Sequence, residues 1–396
     1  MRITFITTQI NLKTGGGANQ STHLKARSMA ELGHEVKILT LFPEKNSFNE
    51  TLPYTVVKLP TRFKNWMALQ IKIIFVLKKY EKVSDVFAFE GPQFIWGAGF
   101  YRFFNGRIPI LMHFNIPIFS IYEHGTTYKA KSLPKKSLKG KVSTWLRIKF
   151  EKNIGLPLAN HIDMFDADSP IMKEWHENFG LDGNKIVVLP EFADLKPFFK
   201  KPPTECAGSK NKINLIYSGR LVAPKGIDTL LMAIKELKGK YDILVRIVGE
   251  GRAEKELKEL SKNYGLEKNV IFYSWANKET LNDLYHCSDI FVHPARWAEP
   301  FGITIIEAMA AGLPVITPRV SGSSWAAGEA GLIFENGDYK DLENKIEKLI
   351  NNDTLRKDLA EKAIKRASRF DYRVFIDGLE KILQKLILKN KNKKII

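Results

Sequence analysis

Short apolar segments alternate with helix-like segments along most of this chain, and this alternation limits the folds that it can adopt. In the first half, apolar segments at residues 2–8, 36–40, 86–89 and 109–113 are separated by longer stretches, the first of which contains a glycine-rich loop and a helix ending near Gly33. Strands that alternate with helices form a mostly parallel sheet with helices on both faces. The sequence therefore predicts an α/β fold with a doubly wound parallel sheet.

The alternation starts again after a polar segment at residues 200–212, which has the composition of a linker. Further apolar segments separated by helix-like stretches lie at 213–218, 243–248, 270–273, 290–293 and 314–317. A chain of 396 residues is long for a single hydrophobic core. We therefore expect two Rossmann-like domains, at 1–199 and 200–370, facing each other across a cleft. A helix at about 371–396 is expected to pack back on the first domain.

Two glutamates frame a segment that offers several groups for holding a polyol phosphate. Glu299 lies in a turn made by Pro300 and Gly302, and Glu307 lies inside a short helix that ends near Gly312. The free backbone N–H groups at the start of this helix favour an anion. Two acids at this spacing are also common on ordinary surface helices, so the spacing alone leaves both interpretations open.

Two cations follow the first strand of the second domain. Arg220 and Lys225 lie in the loop that begins at Gly219, and Gly249 ends the next predicted strand. At the carboxyl end of a parallel strand, two cations can clamp a diphosphate, and glycines let a ligand approach the backbone closely. Cations in a loop are also common as solvated surface residues, so the loop by itself does not decide its role.

Taken together, these segments resemble the retaining glycosyltransferases of family 4, which have the two-domain GT-B architecture, and the resemblance covers most of the chain. The matching segments are Gly15-Gly-Gly with the helix that follows, Tyr217-Ser-Gly-Arg-Leu with Lys225-Gly-Ile-Asp, Val248-Gly-Glu-Gly, Asp289-Ile-Phe-Val-His-Pro, and the E-x7-E motif from Glu299 to Glu307 with Ala-Met-Ala-Ala-Gly-Leu-Pro after it. The order of these motifs is specific as a set.

The resemblance implies a role for each matching residue. Glu307 would accept hydrogen bonds from the nucleotide ribose, Glu299 would contact the transferred sugar, and Arg220 and Lys225 would neutralise the departing diphosphate. His113, at the end of a first-domain strand, matches a family histidine near the sugar, although a lone strand-end histidine is more often structural. The implied catalytic residues are His113, Glu299, Arg220 and Lys225. The implied donor-binding residues are Gly16, Gly17, Gly219, Arg220, Lys225, Gly249, Glu299, Phe301, Gly302, Ile303 and Glu307.

The resemblance also implies the reaction. A hexose-type sugar would move with retention from a UDP-, GDP- or ADP-sugar to a hydroxyl of a glycan or lipid-linked acceptor, in cell-surface polysaccharide or glycolipid synthesis. No cofactor and no metal ion are expected. The segment Asp166-Ala-Asp168 matches the D-x-D motif of metal-dependent transferases. We interpret it instead as the end of a strand, with Ser169 capping a helix and Pro170 at the first position of that helix.

The charge balance predicts an acidic partner. The chain has 61 Lys and Arg against 43 Asp and Glu, a net charge of +18, and Lys129–Lys152 is almost free of acids. The helix-like part of Lys129–Lys152 places Trp145 and Phe150 among basic residues, which suits an anionic membrane surface. A similar stretch at 62–79 is expected to pack on the sheet instead.

Several features predict a cytoplasmic protein that is peripheral on the inner face of the membrane. The chain starts with a short strand-like segment instead of a signal sequence, and no apolar run is long enough to span a bilayer. Cys206 and Cys287 are far apart and fit no metal spacing, which favours a reducing setting.

Two other classes of function are compatible with parts of the sequence. The positive charge alone would suit a nucleic-acid-binding protein, but the basic residues do not form a known nucleic-acid motif, and we expect no nucleic-acid partner. A dinucleotide-dependent enzyme could use the same strands. The loop at 14–20, however, lacks a G-x-G-x-x-G pattern and an acid about 20 residues further on.

Overall fold

The chain forms two compact units. The structure is a computed structural model, and it describes residues 1–12, 17–48, 51–59, 66–114, 145–146, 148–200, 212–297, 299–319 and 321–392. Unit 1 comprises Met1–Glu191 and Tyr372–Ile396, and unit 2 comprises Phe192–Asp371. The domain boundary expected at residue 199 lies a few residues beyond the division between the units.

Unit 1 is built on a parallel sheet. Its strands among the described residues are β1 (Arg2–Thr7), β2 (Glu35–Thr40), β3 (Thr55–Lys58), β4 (Val86–Glu90), β5 (Ile110–Phe114), β6 (Met164–Ala167) and β7 (Ile186–Val188). Their order in the sheet is β3-β2-β1-β4-β5-β6-β7, and every pair is parallel. Every residue of β4 and β5 is buried, as expected for strands covered by helices on both faces.

The helices of the first part of unit 1 follow the expected alternation with the strands. They are α1 (Gly17–Glu31), α2 (Trp66–Tyr80), α3 (Ile95–Phe103), α4 (Leu156–Ala159) and α5 (Pro170–Asn178). At the start of α5, the Ser169 hydroxyl accepts a hydrogen bond from the Met172 backbone N–H, and Pro170 occupies the first turn. The predicted helix start at Ser169 is therefore confirmed.

Unit 2 repeats the same architecture with six strands in its described part. They are β8 (Ile213–Ser218), β9 (Ile243–Val248), β10 (Val270–Tyr273), β11 (Ile290–Val292), β12 (Val315–Pro318) and β13 (Gly331–Phe334), in the order β10-β9-β8-β11-β12-β13. All pairs are parallel. The order reverses between β8 and β11, and ligands of such sheets bind at this reversal, beyond the carboxyl ends of the strands.

The remaining helices complete unit 2 and then return to unit 1. Those of unit 2 are α6 (Ile227–Leu237), α7 (Glu254–Asn263), α8 (Lys278–His286), α9 (Ile303–Ala310), α10 (Ser321–Ala327), α11 (Tyr339–Ile350) and α12 (Asp353–Ala367). The last helix, α13 (Tyr372–Asn392), belongs to unit 1, where it contacts α1, β4 and β5. The doubly wound parallel sheets predicted for both halves of the chain are confirmed.

Some predicted features fall partly or wholly outside the described residues. Residues 201–211 of the expected linker lie outside them, as do Gly16, Cys206 and most of the basic segment Lys129–Lys152. Cys287, at the end of α8, is disulfide-bonded, so the expectation of reduced cysteines is wrong for this residue. Within the described residues, no helix is long and apolar enough to cross a membrane.

Candidate active site

An ion pair at the reversal of strand order is the centre of the candidate site in unit 2. Lys225 ends a short helical turn after β8, and Glu299 lies between β11 and α9. The Lys225 Nζ is 2.5 Å from the Glu299 Oε2, and both side chains are largely buried. The sequence placed these two residues in separate motifs 74 positions apart. The fold brings them into direct contact because β8 and β11 are neighbours in the sheet.

Two further side chains surround the Glu299 carboxylate. The Trp297 indole N–H donates to Glu299 Oε2 at 2.9 Å, and the ring nitrogen His293 Nε2 lies 3.5 Å from the same oxygen. Burial alone would raise the pKa of Glu299, but Lys225 and His293 hold it well below its usual range. Burial lowers the pKa of His293. Glu299 is therefore ionised at neutral pH, and His293 is mainly neutral.

Arg220 lies on the same loop as Lys225, but its side chain is exposed to solvent. The loop is anchored below it, because the buried Tyr217 hydroxyl donates to the Arg220 backbone carbonyl at 3.0 Å. Gly226 follows Lys225 with a φ of 66°, and a Cβ there would lie 2.1 Å from the Pro294 carbonyl oxygen. The loop thus has a fixed backbone, with one paired and one exposed cation.

The predicted glycines lie where neighbouring strands end. Gly219 follows β8 with a φ of 144°, and Gly249 follows β9 with a φ of 137°. A Cβ on Gly249 would lie only 2.1 Å from the Gly219 carbonyl oxygen. Gly302 precedes α9 with a φ of 101°. At these positions the positive φ angles and the neighbouring protein atoms exclude a side chain.

Glu307, in the second turn of α9, is part of a second polar group. The Tyr285 hydroxyl lies 2.6 Å from the Ser218 hydroxyl, and Tyr285 and the Glu307 carboxyl group are close enough to affect each other's pKa. Burial raises the pKa of Glu307 to about 7, although Lys278 and Tyr285 act against the shift. Ser218 and Tyr285 were not predicted as site residues, because a serine at a strand end and a tyrosine on a helix carry no local signal.

The other predicted donor-binding residues differ in their surroundings. Phe301 is buried in the core of unit 2, where its ring packs on Phe370 at 5.1 Å and on Trp325 at 6.0 Å. Its side chain therefore fixes the start of α9. Ile303 is half-buried in the first turn of α9. In unit 1, Gly17 is the exposed first residue of α1.

His113 lies in unit 1, at the carboxyl end of β5, and both of its ring nitrogens face carboxylates. Its Nδ1 is 2.7 Å from Asp166 Oδ2, and its Nε2 is 3.2 Å from Glu191 Oε2 and 3.4 Å from Asp168 Oδ1. All four side chains are buried. Burial and Lys25 lower the pKa of His113, but Asp166 and Asp168 raise it well above its usual range. The surroundings of His113 are thus mainly acidic side chains of unit 1.

Further charges complete this buried network. The Lys25 ammonium donates to Glu90 Oε2 at 3.0 Å, and the two side chains are almost fully buried. Burial raises the pKa of Asp168 well above its usual range. The hydrogen bond and charge of His113 outweigh burial for Glu191 and lower its pKa to about 2. The sequence did not predict Lys25, Glu90 or Glu191 as members of one group, because they lie on elements far apart along the chain.

Two family models together match almost the whole chain. Residues 15–196 match the model described as Glycosyltransferase Family 4, and residues 205–366 match the model described as Glycosyl transferases group 1. The two matches correspond to the two units. The E-x7-E segment and the Lys225 loop both lie in the second match.

Curated relatives align with this chain over about half of their own length. The capsular polysaccharide biosynthesis glycosyltransferase CapM of Staphylococcus aureus is 31% identical over 182 residues, which cover 45% of this chain and 47% of CapM. The D-inositol 3-phosphate glycosyltransferase of Rhodococcus erythropolis is 31% identical over 221 residues, 52% of this chain and 50% of that protein. The chain thus spans about half the length of these relatives.

Solved structures match the whole fold. Anabaena Alr3699/HepE, in complex with UDP and glucose, superposes with a TM-score of 0.73 over 97% of this chain and 99% of that chain, at 19% identity. The sucrose-phosphate synthase of Thermosynechococcus elongatus superposes with a TM-score of 0.79 over 98% and 99%, at 18% identity. At this identity the similarity shows the fold, which is GT-B.

Proposed function

We propose that this chain, which belongs to glycosyltransferase family 4, transfers a sugar from a nucleotide diphosphate sugar to an acceptor hydroxyl. The observation that carries the proposal is the contact between Lys225 and Glu299 at the reversal of strand order in unit 2. It joins a cation suited to a diphosphate and a carboxylate suited to sugar hydroxyls at the edge of the sheet where ligands bind. The exposed Arg220 on the same loop supplies a second cation.

The donor is proposed to be a nucleoside diphosphate hexose. Anabaena HepE was crystallised with UDP-glucose, and its fold matches that of this chain. In unit 2, Glu307 is the carboxylate that would accept hydrogen bonds from ribose hydroxyls, and Tyr285 is close enough to influence its pKa. The side-chain-free ends of β8 and β9, at Gly219 and Gly249, would let the diphosphate lie against the backbone.

Transfer is proposed to proceed with retention on the front face of the sugar. The bond from the anomeric carbon to the diphosphate oxygen breaks, and the acceptor oxygen bonds to that carbon from the same face. The acceptor proton passes to the departing diphosphate oxygen. Lys225 and Arg220 would stabilise the charge that develops on the diphosphate, in place of a metal ion at that position. Glu299 is ionised and already paired with Lys225, which suits a carboxylate that positions hydroxyls better than one that donates a proton.

Removing both cations tests this function. In the variant Arg220→Ala/Lys225→Ala, turnover of the preferred nucleotide sugar should fall by about 10²-fold or more, because the charge on the departing diphosphate loses its stabilisation. The measurement is release of nucleoside diphosphate in the presence of acceptor. The matched control is Lys262→Ala, a change at an exposed lysine of α7, which should keep normal turnover. Near-normal turnover of the double variant would refute the proposed role of the loop.

The acceptor is proposed to be a glycan or a lipid-linked sugar at an anionic membrane surface. Besides the basic segment Lys129–Lys152, an apolar stripe on α2 supports this proposal. Met67, Ile71 and Phe75 are spaced four residues apart and are 45%, 54% and 70% exposed. The opposite face of α2 packs on the core of unit 1, so the expectation that this stretch packs on the sheet holds for that face only.

The neighbouring helix α3 also carries exposed aromatic side chains. The Gln70 side chain bonds the backbone of Gln93 at 2.7 Å and of Gly97 at 2.9 Å, which holds α3 beside α2. The exposed aromatic residues of α3 and its end are Phe100, Phe103 and Phe104. Lysines follow the stripe at the end of α2, where Lys78 and Lys79 are exposed. Exposed aromatic side chains beside lysines suit the plane of an anionic bilayer.

Liposome co-sedimentation of the full chain tests the membrane proposal. The chain should sediment with vesicles containing phosphatidylglycerol and much less with phosphatidylcholine alone. The double variant Ile71→Ser/Phe75→Ser should lose at least tenfold in partitioning, because it removes apolar area from the stripe. Val374→Ser, at an exposed apolar position of α13, is the control. Equal vesicle binding by Ile71→Ser/Phe75→Ser and by Val374→Ser would contradict the proposal. It would also be contradicted if duplex DNA displaced the chain from neutral and anionic vesicles alike.

A further inference from the structure

Three ligand-type side chains converge at the carboxyl edge of the sheet in unit 1. His113 is on β5, Asp168 directly follows β6, and Glu191 follows β7, so three adjacent strands each supply one group. One atom of each, a ring nitrogen or a carboxylate oxygen, lies within 4.8 Å of the other two. All three side chains are buried. They belong to unit 1, whereas the proposed transfer reaction uses residues of unit 2.

The distances between these atoms are those of ligands around a metal ion. His113 Nε2 is 3.2 Å from Glu191 Oε2 and 3.4 Å from Asp168 Oδ1. Ligand atoms about 2.0–2.2 Å from one ion, at tetrahedral or octahedral angles, lie about 3–3.5 Å apart. A single proton on Nε2, in contrast, can form a good hydrogen bond with only one carboxylate, and the other carboxylate stays at a longer distance.

Carboxylate oxygens without a hydrogen bond indicate room for a further positive group. Among the residues that the structure describes, Glu191 Oε1 has no hydrogen-bond partner and Asp168 Oδ1 has only the 3.4 Å ion pair with His113 Nε2, while the two residues are only 5% and 2% exposed. A buried carboxylate oxygen without a partner is costly, and bound cations are one of the usual compensations. The nearby Lys25 ammonium is directed to a different carboxylate, Glu90, at 3.0 Å.

The other nitrogen of His113 is held as it is in metal sites. Asp166 Oδ2 lies 2.7 Å from His113 Nδ1, and the two residues are direct partners in the pairing of β5 with β6. When an ion replaces the Nε2 proton, a carboxylate on Nδ1 keeps the remaining proton there and turns the lone pair of Nε2 towards the ion. Asp166 is therefore placed to orient the ligand, and Asp168, two residues further, to bind the ion.

We propose that His113, Asp168 and Glu191 bind one divalent transition-metal ion in unit 1, with Asp166 orienting the histidine. One imidazole and two carboxylates suit Zn²⁺ or Mn²⁺, while Mg²⁺ and Ca²⁺ prefer oxygen ligands alone. The ion ties together the ends of β5, β6 and β7. This reverses the interpretation of Asp166-Ala-Asp168 as a pair without a metal, but it assigns the ion no role at the diphosphate.

The metal content of the full chain tests the proposal. After EDTA treatment and dialysis, Zn²⁺ and Mn²⁺ are titrated by calorimetry, and bound metal is counted by mass spectrometry. We expect one equivalent of one of these ions and a higher Tm in its presence. Binding of Co²⁺ as a probe should give the visible absorption bands of a protein-bound ion. The isosteric variants Asp168→Asn and Glu191→Gln should lose stoichiometric binding, and Asp166→Asn should bind about 10- to 100-fold more weakly.

The controls separate this site from general surface binding and from the transferase proposal. Asp182→Asn, at the cap of a surface turn in unit 1, should bind metal like the unaltered chain. A folded chain with no bound metal and no change in Tm would overturn the proposal, and so would binding that all variants retain. The readouts of the metal experiment are metal content and Tm, so a negative result leaves the turnover experiment on Arg220 and Lys225 unaffected. A negative result in the turnover experiment likewise leaves the metal proposal unaffected.

Discussion

At the scale of single residues, Glu299 connects Lys225, in the loop after β8, to the rest of the candidate site. Its carboxylate contacts Lys225, Trp297 and His293. A diphosphate that binds Lys225 must therefore share the ammonium with Glu299. The carboxylate is thus expected to matter for transfer more than for nucleotide binding.

Glu299→Gln separates the two effects. The amide keeps the shape of the side chain but removes the charge that competes with the diphosphate, so the Kd for nucleoside diphosphate should stay the same or fall. Turnover should fall by about 10²-fold, because the sugar loses a charged acceptor group. Calorimetry gives the Kd, and release of diphosphate gives kcat. Glu335→Gln, at an exposed ion pair with Arg319, is the control with little effect on either. Weaker nucleotide binding with normal kcat would contradict this account.

Glu307 should make nucleotide affinity depend on pH near neutrality. Burial raises its pKa to about 7, and only the ionised carboxylate can accept hydrogen bonds with both oxygens. As pH falls through 7, the group gains a proton, so the Kd for nucleoside diphosphate should rise. It should be about tenfold higher at pH 6 than at pH 8, since the ionised fraction changes by that factor. Titrations at several pH values measure it. In Glu307→Gln, affinity should be weak and flat with pH, and an unchanged pH dependence in that variant would assign the effect to another group.

The residues that the sequence could predict are those carried by local motifs. Arg220, Lys225, Glu299 and Glu307 each stand in a recognisable segment, and the structure places all four in unit 2. The partners of His113 could not be predicted in the same way. They come from separate strands and reach His113 only through the pairing of β5, β6 and β7.

At the scale of elements, the ends of β8 and β9 are packed closely enough to require glycine. Gly249→Ala should destabilise unit 2 by about 1–3 kcal/mol, because φ is 137° and the new Cβ would lie 2.1 Å from the Gly219 carbonyl oxygen. The free energy of unfolding from urea denaturation measures this loss, and nucleotide affinity should fall with it. Gly239→Ala is the matched control, since a Cβ there would meet no residue beyond its chain neighbours within 4 Å. Equal stability of the two variants would show that the loop has room for side chains.

The elements that the sequence predicted are those with a long apolar run or a clear cap. β1, β8 and β9 are six-residue strands with mostly buried residues, and each was predicted from its apolar run. The sequence did not distinguish the edge strands β3 and β13, which have only four residues each. Their residues are mostly half-buried, so the apolar signal is weak. α3 has no side-chain cap at its start, so no capping residue marked it.

At the scale of the whole molecule, the chain leaves unit 1 and returns to it through α13. The helix buries leucines and contacts α1, β4 and β5, and its Glu380 Oε1 lies 2.9 Å from His34 Nε2. Near the end of α13, the Asn390 side chain donates to the Arg107 backbone carbonyl at 2.9 Å. The sequence placed this helix on the first domain from its position and pattern. The contacts that hold it there are long-range in sequence.

Leu383→Ala tests this contribution of α13. Leu383 is fully buried, so its truncation should destabilise unit 1 by about 2–5 kcal/mol through lost burial and a residual cavity. Urea unfolding followed by circular dichroism should show a lower midpoint for one transition. The transition that nucleoside diphosphate stabilises should keep its midpoint, because the nucleotide site is in unit 2. Val374→Ala, at an exposed position of the same helix, should change stability by less than about 0.5 kcal/mol. A shift of the nucleotide-stabilised transition in Leu383→Ala would contradict the assignment.

Nucleotide titration of the full chain tests the central claim most directly. UDP, GDP, ADP and NAD are titrated by calorimetry against the unaltered chain and against Arg220→Ala/Lys225→Ala. One nucleoside diphosphate should bind at a single site per chain, NAD should not bind, and the double variant should lose at least tenfold in affinity, because two cations no longer face the diphosphate. No binding of any nucleoside diphosphate by the folded chain, or equal affinity in the double variant, would contradict the account.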